Sequence, residues 1–363
     1  HLTPTPHMTP ENRNALLDWY ARNKRGLPWR GATDPYVIWL SEIIMQQTRI
    51  AQGMSYYNRF ISDYPTVQDL AAASEDQVLK RWQGLGYYSR ARNMHFTARH
   101  IVNELGGQFP DTYAGLKKLK GVGEYTAASI ASLVFGEPVP AVDGNVFRFL
   151  SRLWGVETPI NTGRGKKEFT QLAQQLMPQN KPGEFNQALI EFGALQCAPK
   201  NPDCGACPFR TECVAYRENR VDGLPVKARK QQLRERYFCY VRLVQGNTLF
   251  LRRRPPGDIW QGLYEFPLLE TPGPVAPETL MENPAWQETF GRAALTVTAI
   301  SPEIKHILSH QRLHGRLVTA RLPQKEALPT AIANNYIPVS QEDFGQYAIP
   351  RLIERLLGDS KPI

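Results

Sequence analysis

Two groups of residues in this 363-residue chain could do chemistry. Cys197, Cys204, Cys207 and Cys213 fall within seventeen residues in the spacing C-x6-C-x2-C-x5-C. The loops between them are too short to bury apolar surface of their own, so the thiols serve a metal or a pair of disulfides. The second group is a pair of carboxyls far apart in sequence. Glu42 interrupts the apolar runs Val37-Ile38-Trp39-Leu40-Ser41 and Ile43-Ile44-Met45, where desolvation raises a carboxyl's pKa. Asp143, in Val142-Asp143-Gly144-Asn145, stands where an N-cap belongs before Val146-Phe147-Arg148-Phe149-Leu150, and the helix N-terminus is expected to lower its pKa and keep it ionised. Taken singly, Glu42 reads as well as an ion-paired residue, and Asp143 as a plain cap. Two carboxyls pushed in opposite directions are the pattern of a general acid beside a permanent anion. That pair suits cleavage of a glycosidic bond through an oxocarbenium-like transition state.

Helical signals position both carboxyls, running from Thr9 to about Tyr216. Thr9-Pro10-Glu11 caps a helix carrying Ala15, Leu16, Trp19 and Tyr20, and Asp34-Pro35 opens one that runs to Gln47. Further helices are predicted over residues 66–73, 75–82, 91–105, 111–119, 124–135, 144–154, 165–177 and 182–195. Between two of them, Leu119-Lys120-Gly121-Val122-Gly123-Glu124 places two glycines two apart. Such glycines turn the backbone with φ above zero and bring the next helix's free N–H groups close to an anion such as a phosphate. A tight αα-hairpin without a ligand carries the same signature.

The texture then changes. Arg217 to Arg236 is polar, interrupted by Gly223 and Pro225, and reads as a linker between domains at 8–216 and 237–358. Tyr237 to Val244 and Thr248 to Arg253 flank Gly246-Asn247 as a hairpin. Leu295 to Ile300 and His314 to Leu322 are further strands, and Ile349 to Leu357 closes as a helix. His306, His310 and His314 have the spacing of a helical metal site, but a strand and turn would scatter their side chains, so no metal is expected there.

Composition narrows the cysteine chemistry. Five cysteines and no apolar stretch of spanning length exclude a disulfide-dense mini-protein and a membrane protein, and imply a reducing cytoplasm. The irregular spacing fits an iron–sulfur cubane wrapped by one loop better than a zinc site of two C-x2-C knuckles. Cys239 lies outside the loop and reads as a buried thiol. A formal charge of +9 and a pI near 9.3 suit a polyanionic partner. Residues 1–7, before Met8, lack a basic n-region and an apolar h-region and are expected to be an expression remnant, not a signal peptide.

Leu119-Lys120-Gly121-Val122-Gly123, Val142-Asp143-Gly144-Asn145 and the cysteine loop together resemble the helix-hairpin-helix DNA glycosylase superfamily, in its endonuclease III branch. Leu27-Pro28-Trp29-Arg30, Ser41-Glu42-Ile43-Ile44-Met45-Gln46-Gln47-Thr48 and Gly84-Leu85-Gly86-Tyr87-Tyr88-Ser89-Arg90 are similar to the MutY adenine DNA glycosylases. The resemblance implies a multidomain chain. An all-α helix-hairpin-helix glycosylase domain of two lobes, with an iron–sulfur loop, would precede an α/β (α+β) Nudix-like domain. It implies a [4Fe–4S] cluster on Cys197, Cys204, Cys207 and Cys213, and a monomer acting on duplex DNA with adenine opposite 8-oxoguanine or guanine.

The implied roles are these. Glu42 protonates adenine at N7 and handles the attacking water, Asp143 stabilises the sugar cation, and Asn145 orients Asp143 or the water. Tyr125 lies eighteen residues before Asp143, where bifunctional relatives carry a Schiff-base lysine. A phenol cannot form that imine, so the implied enzyme is monofunctional. Trp29, Arg30 and Gln187 would form the adenine pocket. Gln47 and Tyr87 would be DNA wedges, Thr48 and Leu85 would lie near 8-oxoguanine, and Tyr88, Gly121, Val122 and Gly123 would also contact DNA. Trp260-Gln261-Gly262-Leu263-Tyr264-Glu265-Phe266-Pro267 and Leu308-Ser309-His310 are similar to the family's Nudix-like module. There Ser309 and His310 would check 8-oxoguanine, with Leu308 in place of the usual aromatic residue. The run G-x5-E-x7-R-E-x-x-E-E-x-G of working Nudix hydrolases is absent from the sequence, which disfavours pyrophosphatase activity. Two alternatives stand beside this reading: an endonuclease III-like glycosylase for oxidised pyrimidines, and a non-catalytic iron–sulfur DNA-binding protein.

Overall fold

Local capping sets the first turns. Thr9 Oγ1 accepts the Asn12 amide at the start of α1 (Pro10–Asn23), and Asp34 Oδ1 accepts the Tyr36 amide at the start of α2 (Pro35–Met45). The structure, a computed structural model, describes residues 8–228 and 232–358. The expected N-terminal remnant (residues 1–7) and linker residues 229–231 lie outside the described residues.

The chain continues through α3 (Ile50–Asp63), α4 (Val67–Ala72), α5 (Glu75–Trp82), α6 (Ser89–Glu104), α7 (Tyr113–Leu116) and α8 (Glu124–Val134). Then come α9 (Gly144–Trp154), α10 (Gly163–Leu176), α11 (Pro182–Leu195) and α12 (Val214–Arg217). Helix α3 is not among the predicted helices, although Ile50, Met54, Tyr57, Phe60 and Ile61 recur at helical spacing; its N-cap Arg49 makes no side-chain capping bond, and Gly53 lies within it. Tertiary packing secures it. A Cβ on Gly53 would meet Met45 Sδ at 2.6 Å, so the glycine lets α3 close on the end of α2. Leu16, Phe149, Leu150, Phe169, Phe185, Phe192 and Phe209 build a core among α1, α9, α10 and α11.

The sheet strands are β1 (Arg234–Gln245), β2 (Thr248–Arg253), β3 (Tyr264–Glu265), β4 (Leu268–Thr271), β5 (Thr296–Ile300), β6 (Ile304–Ile307), β7 (Gln311–Arg321) and β8 (Ile337–Ser340). Their order is β3-β2-β1-β7-β5, with β4 on β1, β6 on β7 and β8 on β2. The β1–β2 hairpin forms as the sequence indicates, pairing Val244 with Leu249 around Gly246 at φ 59°. Strands β1 and β7 pair in parallel and each begins three residues earlier than expected, at Arg234 and Gln311. Helices α13 (Pro284–Phe290) and α14 (Thr330–Asn335) add Trp286, Phe290 and Ile332 to a core with Val241, Leu243 and Val318. Helix α15 (Arg351–Leu357) packs on β7, where a Cβ on Gly315 would meet Leu352 at 2.7 Å.

Packing divides the chain into two compact units: residues 1–69 with 96–230, and residues 70–95 with 231–363. The second grouping cuts across the change of texture, because long-range polar contacts made it. Within that unit Arg253 Nη2 lies 2.8 Å from Glu75 Oε1, the Tyr264 hydroxyl donates to Asp76 at 2.9 Å, and Arg92 donates to the Gln261 carbonyl at 2.8 Å. Among the described residues no helix is long and apolar enough to cross a membrane.

Candidate active site and cysteine loop

Glu42 sits on α2 among buried Ile38, Trp39, Leu40, Ser41, Ile43 and Ile44. It faces a cavity of about 450 Å³ in the first unit. Tyr125, Asp143, Asn145, Trp29, Arg30 and Gln187 line the same cavity, so every expected catalytic and adenine-pocket residue is brought together. Gln47 and Thr48 line it too. Burial pushes the Glu42 carboxyl up to about 7. Ser129, whose hydroxyl donates to Glu42 Oε1 at 2.7 Å, and the Tyr125 hydroxyl oppose the rise, while the charge of Asp143 adds to it. Burial and the two neighbouring carboxyls hold Tyr125 well above the usual phenol range, so it is a neutral donor.

Asp143 caps α9. Its Oδ1 accepts the Asn145 and Val146 amides, each at 2.9 Å, and its Oδ2 accepts the Asn145 side-chain amide at 2.7 Å. The expected downward pKa shift does not hold. Burial raises the Asp143 pKa and outweighs the helix N–H groups, the Asn145 amide and the Arg148 charge, all of which favour the anion. A cap rule that considers only the helix misses the desolvation imposed by the rest of the chain.

Asn145 is held in turn. Its Oδ1 accepts Arg148 Nη2 at 2.9 Å, and Arg148 Nε donates to the Cys197 carbonyl at 2.8 Å. Gly193 of α11 presses on the same turn, since a Cβ there would meet the Asn145 carbonyl oxygen at 2.3 Å. A second anchor lies across the cavity. Glu191 accepts Arg25 Nε at 2.8 Å and Arg30 Nη2 at 3.3 Å, and Arg30 Nη1 donates to the Tyr20 hydroxyl at 2.9 Å. Burial alone would raise Glu191, but the Arg25 bonds and the Arg30 charge hold it below the usual carboxylate range. Ser129, Arg148 and Glu191 escaped the sequence reading. Each lies one turn from an expected residue, at i+4 from Tyr125, i+3 from Asn145 and i+4 from Gln187, and that spacing was the available signal.

Cys197, Cys204, Cys207 and Cys213 are half-buried, unpaired, and line one small cavity with Phe149, Phe192, Phe209 and Arg152. Arg152 Nη1 lies 3.6 Å from Cys197 Sγ and donates to the Ala198 carbonyl at 2.8 Å. Among the described residues no three His, Cys, Asp or Glu side chains close into a cage for a single metal ion. Four sulfurs around one shared cavity, with a guanidinium aimed at one of them, fit a larger anionic cluster. Burial pushes the Cys207 thiol up to about 12, so a bound cationic centre is what would hold it as thiolate.

The expected DNA contacts divide by exposure. Gln47 (φ 54°) and Tyr87 (φ 48°) are non-glycine residues in the left-handed region, a strain of about 1–3 kcal/mol that collects at functional sites. Tyr87 is 48% exposed and shares a 3.1 Å hydrogen bond with Ser309 of its own unit. Leu85 and Tyr88 are buried, and the Tyr88 hydroxyl accepts the Gly84 amide at 3.1 Å, so these two shape the turn that presents Tyr87. Ser309 and His310 are exposed between β6 and β7. Gly121 has φ 79° as expected, but Gly123 has φ −86°, which any residue adopts. Val122 is buried between them.

A Cβ on Gly123 would meet nothing within 4 Å, so neither backbone nor packing in the free chain requires glycine there. Gly123 is the N-cap of α8, so Gly123→Ala should lower the melting temperature by only a few degrees, while weakening duplex DNA binding about tenfold in a filter assay, ~1.4 kcal/mol. Wild-type affinity in that variant would show that no ligand approaches this turn closely.

The profile of HhH-GPD superfamily base excision DNA repair proteins matches residues 40–179, and that of the NUDIX domain matches residues 238–359. The adenine DNA glycosylase of Mus musculus is 33% identical over 371 residues, covering 87% of this chain and 71% of the relative. That of Buchnera aphidicola subsp. Schizaphis graminum is 35% identical over 257 residues, covering 70% and 74%. The chain spans about half the length, 47%, of the Arabidopsis thaliana relative, to which it is 38% identical. Among solved structures, a thermostable thymine-DNA glycosylase superposes with a TM-score of 0.53 at 30% identity, over 57% of this chain and 95% of its own. An endonuclease III–DNA complex shares the fold, with a TM-score of 0.50 at 22% identity. With its carboxyl-lined cavity, its two matched domains and its coverage of the mouse and Buchnera relatives, the chain belongs to the adenine DNA glycosylase family of base excision repair.

Proposed function

We propose that this chain hydrolyses the N-glycosidic bond of adenine mispaired with 8-oxoguanine or guanine in duplex DNA, leaving an abasic site without cutting the strand. One observation carries the reading: two carboxyls face a single cavity with unequal partners. Glu42 has two hydroxyl donors and a pKa near 7, whereas Asp143 has two backbone N–H groups, an amide and a nearby guanidinium. The first is suited to give up a proton at neutral pH, and the second to face a cation.

In this reading the adenine nucleotide leaves the stack, at a cost of a few kcal/mol. Gln47 and Tyr87 fill the gap, and Gly121, Val122 and Gly123 hold a phosphate at the head of α8. Trp29 stacks on the base while Arg30, fixed by Glu191, and Gln187 read its polar edge. Glu42 donates its proton to N7, and the bond from the base to C1′ breaks with its electron pair going to adenine. Asp143, held by Asn145, stabilises the sugar cation. Water adds to C1′ and returns a proton to Glu42. Tyr125 offers a neutral hydroxyl and no amine, which supports hydrolysis over imine formation. Ser309 and His310 check the opposite 8-oxoguanine.

Cys197, Cys204, Cys207 and Cys213 would hold a [4Fe–4S] cluster. Bound there, the cluster would supply no atom to the reaction, and its four ligands would fix the loop whose Cys197 carbonyl receives Arg148. The setting would be a reducing cytoplasm, with the chain acting as a monomer. The 30% identity to a thymine-DNA glycosylase favours one second reading, in which the same cavity takes a pyrimidine.

Duplexes with adenine opposite 8-oxoguanine, guanine or thymine, and one with thymine opposite guanine, separate these readings by alkali-revealed cleavage. Adenine should be released from the first two alone. Glu42→Gln and Asp143→Asn should each slow single-turnover release by about 10²–10⁴-fold. Failure to release adenine from any duplex, or a covalent complex trapped by borohydride, would contradict the proposal.

The pH profile gives a separate check. An acid near 7 makes the rate fall as pH rises through neutrality. Ser129 favours the charged form of Glu42, so Ser129→Ala should move that descending limb to higher pH. A limb that stays in place or moves down would show that Glu42 is not the titrating acid.

A further inference from the structure

A second cavity of about 540 Å³ in the same unit lies against the first and shares Leu27, Trp29, Arg30, Ser41, Glu42 and Gln187 with it. These side chains mark where the two cavities meet. Gln47, Thr48, Asp143 and Asn145, assigned to the duplex and the sugar, line only the first chamber, whereas Trp29, Arg30, Glu42 and Gln187, assigned to the base, line both. The second reaches instead to Tyr20, Lys24, Ala32, Thr33 and Glu184, of which Lys24 and Thr33 are exposed. It thus opens to solvent at a place that Gln47, Thr48, Asp143 and Asn145 do not line.

Taking the chain as an adenine glycosylase, we infer that this second chamber is a transit site for the excised base, through which a free aminopurine leaves while the abasic duplex is still bound. The duplex fills the mouth of the first chamber during the reaction, so a base released behind it is enclosed on that side. Cleavage also changes the ligand: the base loses its tether to the sugar and gains one N–H, the proton supplied by Glu42. The second chamber offers partners for such a planar, neutral molecule. Trp29 lines it with an aromatic ring, and the side-chain oxygens of Gln187 and Glu184 are acceptors for N–H groups. A cavity of this size lies within the range of small-molecule sites.

The test follows labelled adenine through one turnover. Duplex carrying carbon-14 adenine opposite 8-oxoguanine is mixed with excess protein, and samples are split between alkali cleavage and rapid spin gel filtration. An electrophoretic shift reports whether the abasic duplex is still bound. Wild type should free the label at the rate of cleavage, well before the duplex dissociates. Ala32→Trp and Thr33→Trp, which narrow the second chamber from two positions, should cleave within about twofold of wild type and delay the freeing of label by about tenfold or more. Label that stays with wild-type protein until the duplex leaves overturns the inference, as does label that escapes both variants at the wild-type rate. Absence of cleavage in wild type would instead remove the adenine glycosylase reading itself.

Discussion

Putting a carboxyl into an apolar helix is costly, and the site is arranged around that cost. The rise of Glu42 from an ordinary 4.5 to about 7 corresponds to roughly 3 kcal/mol in favour of the neutral form. Ser129 and Tyr125, one turn apart on α8, recover only part of the lost hydration. The sign follows for the fold as well. Stability from this group is full below about pH 4.5 and is lost as pH rises through about 7, where the buried carboxyl must ionise. In the proposed reaction this is the proton that Glu42 surrenders to the base.

Helix α9 supplies the opposite setting from its first turn. Asp143 is half-buried, and desolvation raises its pKa as well, but it collects donors that Glu42 lacks. Those donors are fixed from behind. Asn145 is held by Arg148, Arg148 by the Cys197 carbonyl, and the turn is pressed by Gly193 at a distance no side chain could share. The cysteine loop and the aspartate are thus joined by consecutive hydrogen bonds over a single helix. This sharpens the role of the loop: it bears on the geometry of the carboxyl as well as on the surface around the cysteines.

Features set by near neighbours were legible in the sequence. Thr9 and Asp34 cap because their acceptors lie two or three residues from their donors, and the hairpin at Gly246 follows from its turn chemistry. The four cysteines are close in sequence and share one cavity. What remained hidden depends on packing between distant segments. Helix α3 has an apolar face but no side-chain cap, and its close fit on α2 depends on Gly53 admitting Met45. Ser129 and Glu191 look like ordinary helix residues until α2 and the Arg25–Arg30 segment are laid against them. The direction of the Asp143 shift reversed for the same reason, as burial comes from the whole unit while the cap rule sees one helix. Residues 70–95 read as part of the helical half, yet ion pairs and hydrogen bonds from the sheet draw them into the second unit.

Desolvation raises Glu42 to about 7, so that a large fraction of it still carries its proton at neutral pH. Carbon-13 NMR of the glutamate side-chain carboxyls, with Glu42 assigned by loss of its signal in Glu42→Gln, follows that group directly from pH 4 to 9. The account requires the Glu42 resonance to titrate near pH 7. Titration near 4.5, with the exposed glutamates, would contradict it.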